Sequence, residues 1–154
     1  TDLRSYKLEE LRKRAKRAGA FNIFPAELGR MNELAAAKKG FDRILVDAPC
    51  SGTGTFGRNP DAKWKVRESW LDDLPREQSG ILEKALPYLK KNGKLYYATC
   101  SVEAAENEAV IEKFLGEHPE LKPIPCGDGG ERFFKLWPPA SGTDGFFLAV
   151  MEKA

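Results

Sequence analysis

The sequence is poor in the residues that build metal centres and covalent cross-links. It has one histidine, His118, and three cysteines, Cys50, Cys100 and Cys126, among 154 residues. Neither a Cys-x-x-Cys nor a His-x-x-x-His spacing occurs, which argues against a bound metal and against a thiol-redox motif. An odd number of widely spaced cysteines also argues against a disulfide framework and points to a reducing, cytoplasmic setting. No apolar run approaches membrane-spanning length, so no membrane partner is expected. Internal repeats and low-complexity tracts are absent. So is the Gly-x-Gly-x-x-Gly loop that opens a doubly wound nucleotide-binding sheet. The nearest cluster, Gly52-Thr53-Gly54-Thr55-Phe56-Gly57, follows a strand pattern but leads into a loop. It reads as a substrate loop, not a nucleotide cradle.

Charge of one sign is not in excess either: 25 Lys and Arg face 23 Asp and Glu, a net of +2. The distribution is uneven. Arg4, Lys7, Arg12, Lys13, Arg14, Lys16 and Arg17 meet only Asp2, Glu9 and Glu10 at the start of the chain. Such a helix can meet phosphate; the plainer reading is a solvated outer face.

With 42% apolar residues, the chain has enough for one core, and residues 1–154 read as one domain. Leu8, Leu11, Ala15 and Ala18 recur at helical spacing, and Gly19 supplies a stop. Phe21-Asn22-Ile23-Phe24 reads as a short strand, and Arg30 to Lys39 as a short helix. A strand follows at 41–46, then a Gly- and Pro-punctuated loop, with Ser69 to Pro75 turn-like. Gln78, Ile81, Leu82, Ala85, Leu86 and Leu89 form one apolar helical stripe, closed by Lys90, Lys91, Asn92 and Gly93, with Pro87 kinking the last turn. A strand at 94–98, a helix from Glu103 to Glu117, and strands at Leu121 to Ile124, Glu131 to Leu136 and Phe146 to Glu152 complete the pattern. The last two are expected to pair antiparallel. The alternation predicts an α/β protein with a mostly parallel sheet.

Two cysteines stand just past strand ends. Phe41-Asp42-Arg43-Ile44-Leu45-Val46 runs into Asp47-Ala48-Pro49-Cys50-Ser51-Gly52-Thr53-Gly54, and Lys94-Leu95-Tyr96-Tyr97-Ala98 runs into Thr99-Cys100-Ser101. Open α/β sheets hold ligands outside the carboxyl ends of their strands. Two thiols at that edge, one beside the Asp47 carboxylate, suggest covalent chemistry.

In these two blocks, together with Arg58-Asn59-Pro60-Asp61-Ala62-Lys63-Trp64, Glu106-Asn107-Glu108 and Asp144-Gly145-Phe146-Phe147, the chain resembles the Sun/Fmu-like RNA (cytosine-5) methyltransferases, which use S-adenosylmethionine. The resemblance runs from the first residues to the last few. It implies an incomplete Rossmann-like class I methyltransferase fold with an antiparallel C-terminal strand pair. The chain then looks like the C-terminal part of the catalytic domain, truncated before the Gly-rich cosubstrate loop and expected to be inactive alone. In the resemblance Cys100 is the thiolate that attacks cytosine C6, Cys50 assists breakdown of the adduct, and Asp47 hydrogen-bonds the base edge. Asp2, Glu27 and Asp47 would bind the cosubstrate, and Arg58 and Lys63 would approach RNA. Ribosomal RNA is the expected substrate, with transfer RNA, or a non-catalytic RNA-binding fragment, as alternatives. Cys126 matches no motif and reads as incidental.

Overall fold

The computed structural model describes residues 1–2 and 4–154, which divide into two compact units, Thr1–Gly40 and Phe41–Ala154. Among the described residues no helix is long and apolar enough to cross a membrane.

In the first unit, α1 (Ser5–Arg17) buries Leu8 and Ala15, two turns apart, and exposes Arg12, Lys13, Arg14, Lys16 and Arg17. Three of these cations lie in its last turn, where the helix dipole favours positive charge, and Gly19 at φ +64° carries the chain away from the helix. Residues 21–24 are not a strand. Phe21 and Phe24 are 92% and 83% exposed, and Pro25 has no N–H to give a ladder. The extended pairing falls later, where Glu27 forms a parallel bridge with Asp2 and the Leu28 N–H reaches the Asp2 carbonyl at 3.4 Å. After a 3-10 turn at Leu28–Arg30, α2 (Met31–Lys38) ends on Lys39 and Gly40, at φ 53° and 87°.

The second unit is built on a five-stranded sheet. Its strands are β1 (Phe41–Asp47), β2 (Leu89–Thr99), β3 (Leu121–Ile124), β4 (Phe134–Leu136) and β5 (Phe146–Lys153). β1 and β2 pair in parallel, and β5 runs antiparallel to β2, β3 and β4. Four strands therefore point one way and β5 the other, the mixed α/β arrangement expected. β2 occupies one edge of β5 along 147–152, so β3 and β4 share the other edge end to end.

Side chains alternate across strands, and Leu95 and Tyr97 of β2 join Phe147, Ala149 and Met151 of β5 on one buried face. Against it lie Leu82 of α3 (Trp70–Ala85) and Val110, Ile111 and Phe114 of α4 (Glu108–Glu117). Each large side chain so buried contributes about 1.5–3 kcal/mol.

Four boundaries differ from the sequence pattern, each for a local reason. Ser69 to Pro75 is helix start rather than turn: Asp72 and Asp73 lie in the first turn of α3, where carboxylates suit the dipole. Pro75 sits within α3, and its carbonyl accepts the Ser79 hydroxyl at 2.8 Å. At the other end α3 stops at Ala85, with Leu86–Tyr88 in a 3-10 turn around Pro87. Lys90 to Gly93 are consequently strand, not helix cap. β1 advances from Phe41 to Arg43 while β2 advances from Leu89 to Lys94, so the extra β2 residues loop out around Asn92 at φ 59°. α4 begins at Glu108 because Asn107 holds a non-helical φ of −114° and ψ of −96°. β4 begins at Phe134 because the Glu131 carbonyl turns back to accept the Cys126 and Gly127 N–H groups. α5 (Pro138–Ser141), a single turn, leads to β5.

His118 fastens α3 to the exit of α4. Its Nε2 lies 2.8 Å from Glu83 and its Nδ1 3.2 Å from Glu120. Burial alone pulls the imidazole pKa down, but the hydrogen bonds to Glu83 and Glu120 outweigh it and raise the value. A raised folded-state pKa stabilises the fold below the unfolded value, about 6.5, and that contribution is lost as pH rises through the folded value. The stability difference between the native chain and His118→Gln is therefore expected to be largest near pH 6, at no more than about 1 kcal/mol, and to shrink at pH 8. Urea midpoints at the two pH values test this; a difference that grows with pH would refute it.

Candidate active site

β1 and β2 are parallel neighbours, so their carboxyl ends deliver the two cysteine turns to one place. Asp47 pairs in register with Ala98, and the Ala48 N–H donates to the Ala98 carbonyl at 3.0 Å. Past that rung the chains diverge into Pro49-Cys50-Ser51 and Thr99-Cys100-Ser101. The sulfurs of Cys50 and Cys100 lie 3.3 Å apart, both partly buried.

The pair is electrically unequal. The two sulfurs share a hydrogen bond in which either can donate; with the proton on Cys50 it lowers the Cys100 pKa to about 7, while burial and the Asp47 and Glu106 charges oppose this. Cys50 is pushed far above the thiol range, first by the same hydrogen bond and then by burial. Near neutral pH the arrangement favours ionisation of Cys100 over Cys50, and a thiolate is the form of sulfur that covalent chemistry requires.

Beneath the thiols lies a buried polar network that sequence reasoning did not assign to the site. Glu106, fully buried, accepts from the Ser51 N–H at 2.9 Å, the Ser101 hydroxyl at 2.9 Å, the Gln78 amide at 3.0 Å, and the Ser51 hydroxyl. A buried carboxylate is costly unless its lone pairs are met in this way. Asn107 accepts the Thr99 hydroxyl at 2.6 Å and donates to the Ser101 carbonyl at 2.9 Å, so it grips the residues on both sides of Cys100. The signals for this network are the twin Cys-Ser dipeptides at the two strand ends and a lone polar residue, Gln78, on the apolar stripe of α3.

A second support is backbone against backbone. The Gly54 N–H donates to the Cys100 carbonyl at 3.0 Å, and the Gly145 N–H donates to the Gly54 carbonyl at 2.8 Å. A Cβ on Gly54 would stand 2.7 Å from the Cys100 oxygen and from the Gly145 Cα, and one on Gly145 would stand 2.7 Å from the Gly54 Cα. Only glycine permits this approach.

The remaining sequence candidates fall in three places. Asp47 is exposed at the end of β1, close enough for its charge to raise the Cys100 pKa. Arg58 is paired with Asp144, tying the loop after Cys50 to the turn before β5, while Lys63 lies 4.9 Å over the ring of Trp64, itself 80% exposed. Asp2 and Glu27 are brought together by their backbone bridge in the first unit, and one Asp2 oxygen accepts the Arg4 N–H at 2.8 Å. Cys126 is held in its own turn, its thiol 3.4 Å from the Leu148 carbonyl.

Comparison with known proteins identifies the family. The family model described as 16S rRNA methyltransferase RsmB/F matches residues 1–152. A ribosomal RNA small subunit methyltransferase B from Photorhabdus laumondii is 38% identical over 152 residues, covering 99% of this chain and 35% of that protein. The chain thus spans about a third of the length of this curated relative. Among solved structures, a methyltransferase homologue from Pyrococcus horikoshii superposes with a TM-score of 0.78 at 29% identity, covering 99% of this chain and 52% of that one. NSun6 from Pyrococcus horikoshii with SFG gives 0.80 at 25% identity, covering 99% and 40%. The chain belongs to the 16S rRNA methyltransferase RsmB/F family.

Proposed function

We propose that this chain carries the base-modifying half of an RNA (cytosine-5) methyltransferase acting on ribosomal RNA. The observation that supports this most is the pair of sulfurs, 3.3 Å apart just past the ends of two parallel strands, with Cys100 the more acidic of the two. Cytosine C5 is a weak nucleophile. When the Cys100 sulfur bonds to C6, the electron pair of the C5–C6 bond becomes available at C5. Asp47, at the adjoining strand end, hydrogen-bonds the pyrimidine edge and steadies the charge that collects there. Once C5 carries a methyl group its proton must leave. Bonding the Cys100 sulfur to carbon removes the neighbour that raises the Cys50 pKa, so Cys50 releases its own proton to solvent and its thiolate takes the C5 proton; the C5–C6 double bond re-forms and the C6–S bond breaks, restoring the Cys100 thiolate. The target base has to be unstacked to reach the sulfur. Lys63 and Trp64, a cation and an open aromatic face at the end of the loop after Cys50, suit a nucleic-acid strand. Arg58, through its pair with Asp144, holds that loop and can also face phosphate.

The methyl group is supplied by S-adenosylmethionine. The residues of the first unit fit part of such a cosubstrate: Asp2 and Glu27, side by side through the bridge, offer the carboxylates that ribose hydroxyls and an adenine amine call for.

The test uses the protein at the full length of its coding sequence, methyl-labelled S-adenosylmethionine, and in separate arms unmodified small-subunit ribosomal RNA and transfer RNA. Nucleoside mass spectrometry is expected to find 5-methylcytidine in the ribosomal arm. Label in transfer RNA alone would replace the substrate, and label on a nucleoside other than cytidine would overturn the chemistry.

A further inference from the structure

We infer that Glu106 is a positioning residue whose buried carboxylate locks the Cys50 turn to the Cys100 turn and so sets the distance between their sulfurs. This deepens the functional reading and rests on it for its relevance to catalysis; the geometry does not.

Each reactive cysteine is followed by a serine, and both serine hydroxyls converge on one oxygen of Glu106 while also meeting each other at 3.2 Å. The second carboxylate oxygen takes the Ser51 N–H and the Gln78 amide. That amide also donates at 2.9 Å to the carbonyl of Pro49, the residue before Cys50. Its own oxygen, buried, has no hydrogen-bond partner among the described residues. Turning the amide over would set that oxygen against the Pro49 carbonyl and the Glu106 carboxylate, two acceptors. Gln78 thus leaves an acceptor unsatisfied in order to donate twice into the clamp. From β2 the Tyr97 hydroxyl donates at 2.6 Å to the Glu106 carbonyl, fixing the backbone of the clamp itself. Glu106 touches neither sulfur in this network. It acts through the residues that follow them.

Positioning and simple electrostatics make opposite predictions. The ionisable groups around the Cys100 sulfur are Cys50, Asp47 and Glu106, with Tyr97 behind them. The Glu106 charge by itself raises the Cys100 pKa, so neutralising it without moving anything would lower the alkylation midpoint. Loss of the clamp lets the Cys50 S–H drift from the Cys100 sulfur, and the midpoint climbs toward the ordinary thiol value.

The experiment measures the iodoacetamide alkylation rate of Cys100 against pH, by peptide mass, in the native chain, in Glu106→Gln and in Ser51→Ala, with circular dichroism to establish folding. Methyl transfer is not the readout, so the result is separable from the proposed function. The native midpoint is expected near pH 7. In Glu106→Gln it should rise by about one unit or more, slowing alkylation at pH 7 roughly fivefold or more; Ser51→Ala should move it the same way by less. If Glu106→Gln does not fold, Ser51→Ala, which leaves the carboxylate in place, decides the matter. An unchanged or lowered midpoint in the folded variants would overturn the inference.

Discussion

Replacing Cys50 by alanine is expected to leave a protein that couples covalently to its RNA and cannot let go, while Cys100→Ala couples to nothing. In the full-length protein with S-adenosylmethionine and labelled RNA, Cys50→Ala should give a band of protein–RNA complex that survives denaturing electrophoresis, with turnover down by about 10²–10⁴-fold, the usual worth of a proton-transfer group. Cys100→Ala should show neither band nor product. The two variants differ because, in the proposed cycle, the sulfurs serve opposite ends. There Cys100 forms the C6 bond, and Cys50, 3.3 Å away, takes the C5 proton after giving up its own, before the C6–S bond breaks. Cys50→Ala also removes the donor that lowers the Cys100 pKa, so its first step slows at neutral pH. Running the assay near pH 8.5 restores thiolate and lets the trapped complex accumulate. A band from Cys100→Ala in place of Cys50→Ala would exchange the two roles, and turnover unaffected by either change would remove both cysteines from the chemistry.

The sequence carried the placement of these sulfurs further than it carried their support. Short apolar runs ending in Asp47 and Thr99 identify two neighbouring strands, and parallel pairing then forces Cys50 and Cys100 to one edge. The network underneath depends on contacts about fifty residues apart, between Ser51 and Glu106 or Gly54 and Cys100, which no periodicity encodes. Glu106 lay within an apparent helix from 103, where a glutamate reads as solvated surface. Its burial follows only when Asn107 breaks the helical geometry and turns the pair inward. The same limit explains the start of α3. Asp72, Asp73 and Pro75 look like turn residues until the first-turn dipole and the packing of Gln78 and Leu82 are in place. Residues 21–24 show the converse: a quartet with three apolar residues and strand composition has no strand character when its backbone finds no ladder among the described residues.

Gly54→Ala is expected to be the most damaging single methyl group that can be added near the site. Its Cβ would be driven to 2.7 Å from the Cys100 carbonyl oxygen and 2.7 Å from the Gly145 Cα, and to 2.9 Å from the Gly145 oxygen. All three are main-chain atoms, so no side chain can swing aside. The strand of contacts from Cys100 through Gly54 to Gly145 must open, breaking hydrogen bonds of 3.0 and 2.8 Å. Overpacking of this kind costs about 1–3 kcal/mol, and each hydrogen bond lost adds about 1 kcal/mol. Gly57→Ala is the matched control in the same loop, because a Cβ there meets nothing within 4 Å; its effect should stay within about 0.5 kcal/mol. Urea denaturation of the two variants measures the difference. Because the displaced atom is the carbonyl of Cys100 itself, the folded fraction of Gly54→Ala should also alkylate Cys100 with an altered pH midpoint, whereas Gly57→Ala should match the native chain. Equal stability in the two variants would mean that the 53–55 turn is not seated against Cys100 as described, and the geometric account of how the thiolate is held would fail with it.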